Sequence, residues 1–195
     1  MKGEHVGYLP AVDAALYAEA LTELANQRLL PRVAARVWAA RRPEYGESAR
    51  PGQMRVVARV SIDLPAVHLI APLNSPPSGS YRVLPQGRAV QVSGEEDHAA
   101  ALRPFLRPDG EGWVYATLWE EIIRGKAVVQ VRLNGAPVGV LSPRMSEDFL
   151  PAIRHLGETV TVARAIVKGN SVKADVVLYA ARANELPESW LAGEP

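Results

Sequence analysis

Eight arginines, Arg28, Arg32, Arg36, Arg41, Arg42, Arg50, Arg55 and Arg59, fall in one short span against only Glu44 and Glu47. Guanidinium groups so concentrated raise a positive field that attracts phosphates. Trp38 stands among them. A second set with chemistry is Trp113, Tyr115 and Trp119, which sit at alternate positions of one run and share a face when the chain is extended. If that face is open it stacks nucleobases, each worth on the order of 1 to 3 kcal/mol, and if it is closed the rings are core. Both sets suit a nucleic-acid strand, so the candidate binding residues are Arg32, Arg36, Trp38, Arg41, Arg42, Arg55, Arg59, Trp113, Tyr115 and Trp119. For the arginines the alternative is a solvated basic face.

Nothing comparable points to catalysis. The chain has no cysteine, which removes thiolate nucleophiles, disulfides and Cys-based zinc sites. His5, His68, His98 and His155 have no metal-ligand spacing, and no serine sits in a nucleophile elbow. Glu95-Glu96 and Glu120-Glu121 are adjacent along strands or loops, which throws each pair apart and leaves them as solvated surface. The expectation is a protein that is not an enzyme and needs no cofactor or metal.

Composition bounds the class. The 195 residues are 48% hydrophobic with a net charge of +1, enough apolar mass for one large or two small domains. No apolar run approaches the ~18 residues of a membrane helix, and Lys2, Glu4 and His5 leave no signal-peptide pattern at Met1. A soluble cytoplasmic protein is expected.

The elements that must position the arginines follow from periodicity. Pro10 to Asn26 predicts a helix whose Leu16, Ala20, Leu24, Tyr17 and Leu21 form a core stripe. Arg32 to Ala39 alternates, with Val33, Ala35 and Val37 on one side and Arg32, Arg36 and Trp38 on the other. Arg41 to Gln53 reads as a loop, and Met54 to Leu64 as a second strand, giving a long basic hairpin. Asn74 to Gly87 is full of breakers and reads as a linker. Ala89 to Ser93, Gly112 to Glu121, Lys126 to Leu133 and Pro137 to Leu141 have strand character, with Asn134-Gly135 a hairpin turn. A second helix starts near Ser142 or Ser146, contains Pro151 and ends at Gly157. Thr159 to Lys168 and Val172 to Ala180 close the chain as a hairpin turning at Gly169-Asn170.

The chain also repeats itself. Val6-Gly7-Tyr8-Leu9 returns as Val138-Gly139-Val140-Leu141, and Tyr17, Ala20, Leu21 and Leu24 match Phe149, Ala152, Ile153 and Leu156 at one constant offset. After a short deletion, Val33-Ala34 and Val37 match Val162-Ala163 and Ile166. Gly7 and Gly139, inside short strands, imply a positive φ or close packing against the helix. The expected organisation is a first repeat over 1–73, a linker over 74–87, a second repeat over 88–184 and a tail over 185–195. Lys2-Gly3 takes the place of Asn134-Gly135, so the first repeat lacks its front strands. Either the chain is cut from a longer protein, or the second repeat or a partner chain covers the exposed edge.

His5-Val6-Gly7-Tyr8-Leu9-Pro10, the helix with Tyr17, and Leu30-Pro31-Arg32-Val33-Ala34-Ala35-Arg36-Val37-Trp38 resemble the latter half of bacterial HIRAN domains. Val92-Ser93-Gly94, Ala116-Thr117-Leu118-Trp119-Glu120-Glu121 and Ala127-Val128 make the second repeat look like a fuller, diverged copy. The resemblance implies tandem small OB-like or SH3-like β-barrels, mainly β with one helix per repeat, in a family whose eukaryotic members capture 3′ ends of single-stranded DNA. The family's aromatic residues after the glycine are replaced here by Glu95-Glu96-Asp97-His98. Its Asn-Pro-aromatic-Asp stretch is replaced by Ile122-Ile123-Arg124-Gly125-Lys126. Single-stranded DNA or DNA ends are the expected partner, with a protein-interaction scaffold, self-associating through the first repeat, as the alternative.

Overall fold

The computed structural model describes residues 7–26, 29–31, 33–44, 53–170 and 172–193. Arg28, Arg32 and Arg50 lie outside them, as do Lys2, Gly3, His5 and Val6. The chain divides after Ile70 into two units.

The first unit holds helix α1 (Ala11–Asn26), strands β1 (Ala35–Pro43) and β2 (Met54–Ile62), and a 3-10 turn at Val67–Leu69. The strands pair antiparallel from Ala35 opposite Ile62 to Pro43 opposite Met54, and among the described residues no third strand joins them. The expected loop therefore starts later, because Arg41 and Arg42 continue the ladder. The stripe on α1 is the helix's more buried side, with Tyr17, Ala20 and Leu21 half-buried, but only Leu24 is fully buried. Leu24 is buried and Tyr17 donates its hydroxyl to the Pro65 carbonyl at 2.9 Å, but Leu16 is exposed. An amphipathic helix buries its stripe only where a sheet or helix offers a matching face, and a two-stranded ribbon is too narrow to supply one.

The second unit is mainly β. Its strands are β3 (Tyr81–Val83), β4 (Ala89–Gln91), β5 (Glu111–Ile123), β6 (Lys126–Leu133), β7 (Ala136–Val140), β8 (Val160–Gly169) and β9 (Ala174–Tyr179). Short helix α2 (Ala99–Leu102) follows β4, α3 (Pro143–Leu156) follows β7, and α4 (Glu188–Leu191) closes the chain. The seven strands form one sheet in the order β4-β9-β8-β5-β6-β7, antiparallel throughout except that β3 adds to β8 in parallel. The sheet curls until its edges meet, where Ser93 and Val140 exchange two 2.9 Å backbone hydrogen bonds.

Strand alternation explains the curl's contents. Val114, Ala116 and Leu118 of β5, Val129, Val131 and Leu133 of β6, Ala163, Ala165 and Val167 of β8, and Val176 and Leu178 of β9 point inward and are buried. Phe149 and Ala152 of α3 plug the same interior. Ser142 caps α3 by accepting the Met145 N–H at 3.3 Å, and the helix runs through Pro151 to Gly157, whose φ is 57°. Buried Ser146 fastens the helix to the sheet, accepting the Val129 N–H at 3.0 Å and donating to the Leu141 carbonyl at 3.2 Å.

Residues 74–87 are part of this sheet rather than a tether. β3 lies there, Leu84 is buried, and the Asn74 side chain acts as a one-residue strand on the open edge of β5. Its Oδ1 accepts the Tyr115 N–H at 2.8 Å and its Nδ2 donates to the Tyr115 carbonyl at 2.9 Å. The last residues are docked as well: Trp190 is buried and donates its indole N–H to the Val83 carbonyl at 2.8 Å. Gly139 has the expected positive φ, 148°, and its close packing is against Val92 and Ser93 rather than the helix, since a Cβ there would sit 2.6 Å from the Ser93 carbonyl oxygen. A Cβ on Gly7 would meet nothing within 4 Å.

Candidate nucleic-acid interface

The β1–β2 ribbon sorts its side chains by parity. Arg36, Trp38 and Arg42 of β1 share a face with Arg55 and Arg59 of β2, because Trp38 pairs with Arg59 and Arg42 with Arg55 across the ladder. The Arg42 guanidinium lies over the Trp38 ring at 5.8 Å. Arg41 belongs to the opposite face, with Val37, Val56, Val60 and Ile62, so it does not join the other arginines there. That opposite face is apolar and open, Val37 being 69% and Val56 67% exposed.

No carboxylate among the described residues pairs with Arg36, Arg42, Arg55 or Arg59. Arg42 directly opposite Arg55 is a like-charge pair that costs the ribbon stability. An arrangement of this kind is relieved by a bound polyanion. A strand laid along the face would meet guanidinium groups on both sides of an indole that is 50% exposed.

Trp113, Tyr115 and Trp119 all point to the outer face of β5, away from the interior that Val114, Ala116 and Leu118 fill. They are neither core nor a bare platform. Trp113 and Tyr115 are half-buried and meet edge-on with ring centroids 4.9 Å apart, while Trp119 is 40% exposed. Each tryptophan carries an arginine on its ring, Arg164 on Trp113 at 5.1 Å and Arg132 on Trp119 at 5.3 Å. Burial, with the Tyr81 phenol beside it, pushes the Tyr115 hydroxyl's pKa up, and Arg164 pulls the other way. Arg132 and Arg164 escape a reading for clustered charge because each stands alone in an apolar strand. Their signal was parity, since each faces the same side as the β5 aromatics.

The carboxylate pairs do not both face solvent. Glu95 is buried and structural, its Oε1 accepting from the Val176 N–H at 3.1 Å and from Gln91 Nε2 at 3.1 Å. Glu120 holds Arg154 of α3 in a bidentate pair, which lowers the carboxyl's pKa and raises the guanidinium's. Among the described residues no three His, Asp or Glu side chains converge as metal ligands, and no helix is long and apolar enough to cross a membrane.

Comparisons with protein-family models, curated proteins and solved structures find no match for the chain. The interface therefore rests on its own geometry.

Proposed function

We propose that the protein is a non-enzymatic nucleic-acid-binding module, built on two diverged HIRAN-like units, that takes single-stranded DNA or DNA ends. The observation that carries the reading is the uncompensated basic face of the β1–β2 ribbon, four arginines around the half-exposed indole of Trp38. Phosphates neutralise the guanidinium groups and a base stacks on the ring. The curled sheet with one plugging helix supports the small-barrel part of this reading for the second unit.

Fluorescence anisotropy with a labelled oligothymidylate tests it. Binding is expected, and Trp38→Ala is expected to weaken it by about 1 to 3 kcal/mol, the worth of one stacked base, with the circular dichroism spectrum unchanged. No binding by the parent chain at low salt ends the reading.

The apolar face favours a second reading, self-association. An isolated two-stranded ribbon is marginal in water, so Val37, Val56, Val60 and Ile62 call for a cover. A second copy supplies one: two ribbons stacked on this face bury these side chains and turn the four-arginine faces outward, with Arg41 of the stacked face near the Pro43–Met54 end of the ladder. Sedimentation equilibrium is expected to show a dimer that Val37→Asp with Val60→Asp dissociates. A concentration-independent monomer in the parent excludes it.

A further inference from the structure

The two arginine-capped tryptophans of the second unit look alike and are not. Arg132 on Trp119 is compensated, its Nε donating to Gln130 Oε1 at 2.6 Å and its Nη2 standing 3.8 Å from Glu121. Arg164 on Trp113 has no partner of either kind among the described residues. Its Nε is buried without an acceptor, and so is the Nε1 of Trp113 beneath it. Buried donors without acceptors are rare in folded proteins, because each forfeits its hydration for nothing.

Tyrosines flank Arg164 on both sides. It sits in a row across three strands, with Tyr115 of β5 directly opposite on one side and Tyr179 of β9 on the other. Tyr81 of β3 is close enough to act on the Tyr115 hydroxyl. None of these three hydroxyls has a hydrogen-bond partner among the described residues. The cluster therefore offers guanidinium N–H and phenol O–H donors with aromatic ring faces around them, and the carboxylate along the same face, Glu111, is already paired with Lys168 at 2.9 Å. An anion is what such a set lacks, and the rings suit an anion carried next to a flat base.

We infer that the outer face of β5, β8 and β9 is a nucleotide site, in which Arg164 binds a phosphate group and the tyrosines around it hold the adjoining base. A free mononucleotide and the phosphorylated end of a strand share this chemistry. Arg164, Tyr81, Tyr115 and Tyr179 are the residues that carry it. The site does not use the ribbon, so it stands or falls separately from the strand-binding face.

Tryptophan fluorescence and calorimetry on the full chain test it, with thymidine monophosphate as the probe and thymidine and inorganic phosphate as the two halves. The monophosphate is expected to bind at least tenfold more tightly than either half. Arg164→Met, which keeps an aliphatic stem on Trp113, is expected to remove at least tenfold of that affinity, while Arg132→Gln changes it less than twofold. If Arg164→Met melts early, Tyr179→Phe serves instead, and should cost at least threefold. Competition by a 5′-phosphorylated oligothymidylate, but not by its 5′-hydroxyl form, assigns the site to strand ends; no competition by either assigns it to free nucleotides. Equal binding of thymidine and its monophosphate, or unchanged affinity in both variants, overturns the inference. Monophosphate binding with no oligonucleotide binding removes the ribbon reading alone.

Discussion

The chain contains two antiparallel ribbons that follow a helix, β1–β2 after α1 and β8–β9 after α3, and they live in opposite circumstances. β8 has neighbours on both edges and an inner face of alanine and valine closed over by α3, whereas β1 and β2 have only each other among the described residues. The helices differ in step. Ser146 ties α3 to the sheet, and the repeat puts Ala14 at that place in α1; Arg154 of α3 reaches Glu120, and Thr22 stands there in α1, bonding its own Ala18 carbonyl at 2.7 Å. Parity sharpens the contrast. The positions that are Ala165 and Val167 on the buried face of β8 align with Arg36 and Trp38, the basic face of β1. One ribbon spends that face on folding, and the other leaves it exposed.

The largest expected effect tests the embedded ribbon against the open one. Leu178→Ala, fully buried on β9, should lower unfolding free energy by about 2 to 5 kcal/mol in chemical denaturation. Val60→Ala on β2 should change the monomer by less than ~0.5 kcal/mol; similar losses at both sites would erase the distinction. Next comes Gly139→Ala, which forces a Cβ onto the Ser93 carbonyl where the edges of the curled sheet meet. A loss of roughly 1 to 3 kcal/mol is expected, with a smaller one for Gly7→Ala, whose Cβ has open space.

A smaller effect of opposite sign belongs to the open ribbon. Arg55→Glu converts the like-charge pair with Arg42 into an attractive one and should stabilise β1–β2 by about 0.2 to 1 kcal/mol, visible as slower amide exchange there, while oligonucleotide affinity falls. Unchanged affinity would detach the arginines from function. The smallest effect is electrostatic and lies at the surface. The Glu120 carboxyl is lowered by its hydrogen bonds from Arg154, so its contribution is present above the ordinary carboxylate range and is lost as pH falls through the lowered value. Carbon NMR should show this carboxyl titrating at lower pH in the parent than in Arg154→Gln.

Much of the second unit was legible in the sequence because its strands alternate cleanly and its turns use residues suited to positive φ, such as Asn134 at 48° and Gly135 at 83°. β3 was not, since Tyr81-Arg82-Val83 is three residues among prolines and glycines, held by distant β8 and by Trp190. The α1 stripe marked the right side but not the depth: Tyr17, Ala20 and Leu21 are only half-buried, because periodicity shows which side a helix buries and not how much is there to cover it. At the interface, the Arg36, Trp38, Arg42, Arg55 and Arg59 face was readable from clustering and period-two alternation. Arg164 was not, because an isolated arginine becomes conspicuous only when the register sets it between two tyrosines. Glu95 was hidden likewise, its partner being the N–H of Val176 on another strand.

We propose that the face which the second unit buries on β8 corresponds, on β1 of the first unit, to a phosphate-binding surface. The salt dependence of oligothymidylate affinity tests it most directly, comparing the parent with a variant carrying Gln at Arg36, Arg42, Arg55 and Arg59. At about 0.7 per neutralised phosphate, the logarithmic slope should fall by up to roughly 3 in the variant, with its melting temperature no lower than the parent's. The same slope in both proteins would contradict the account.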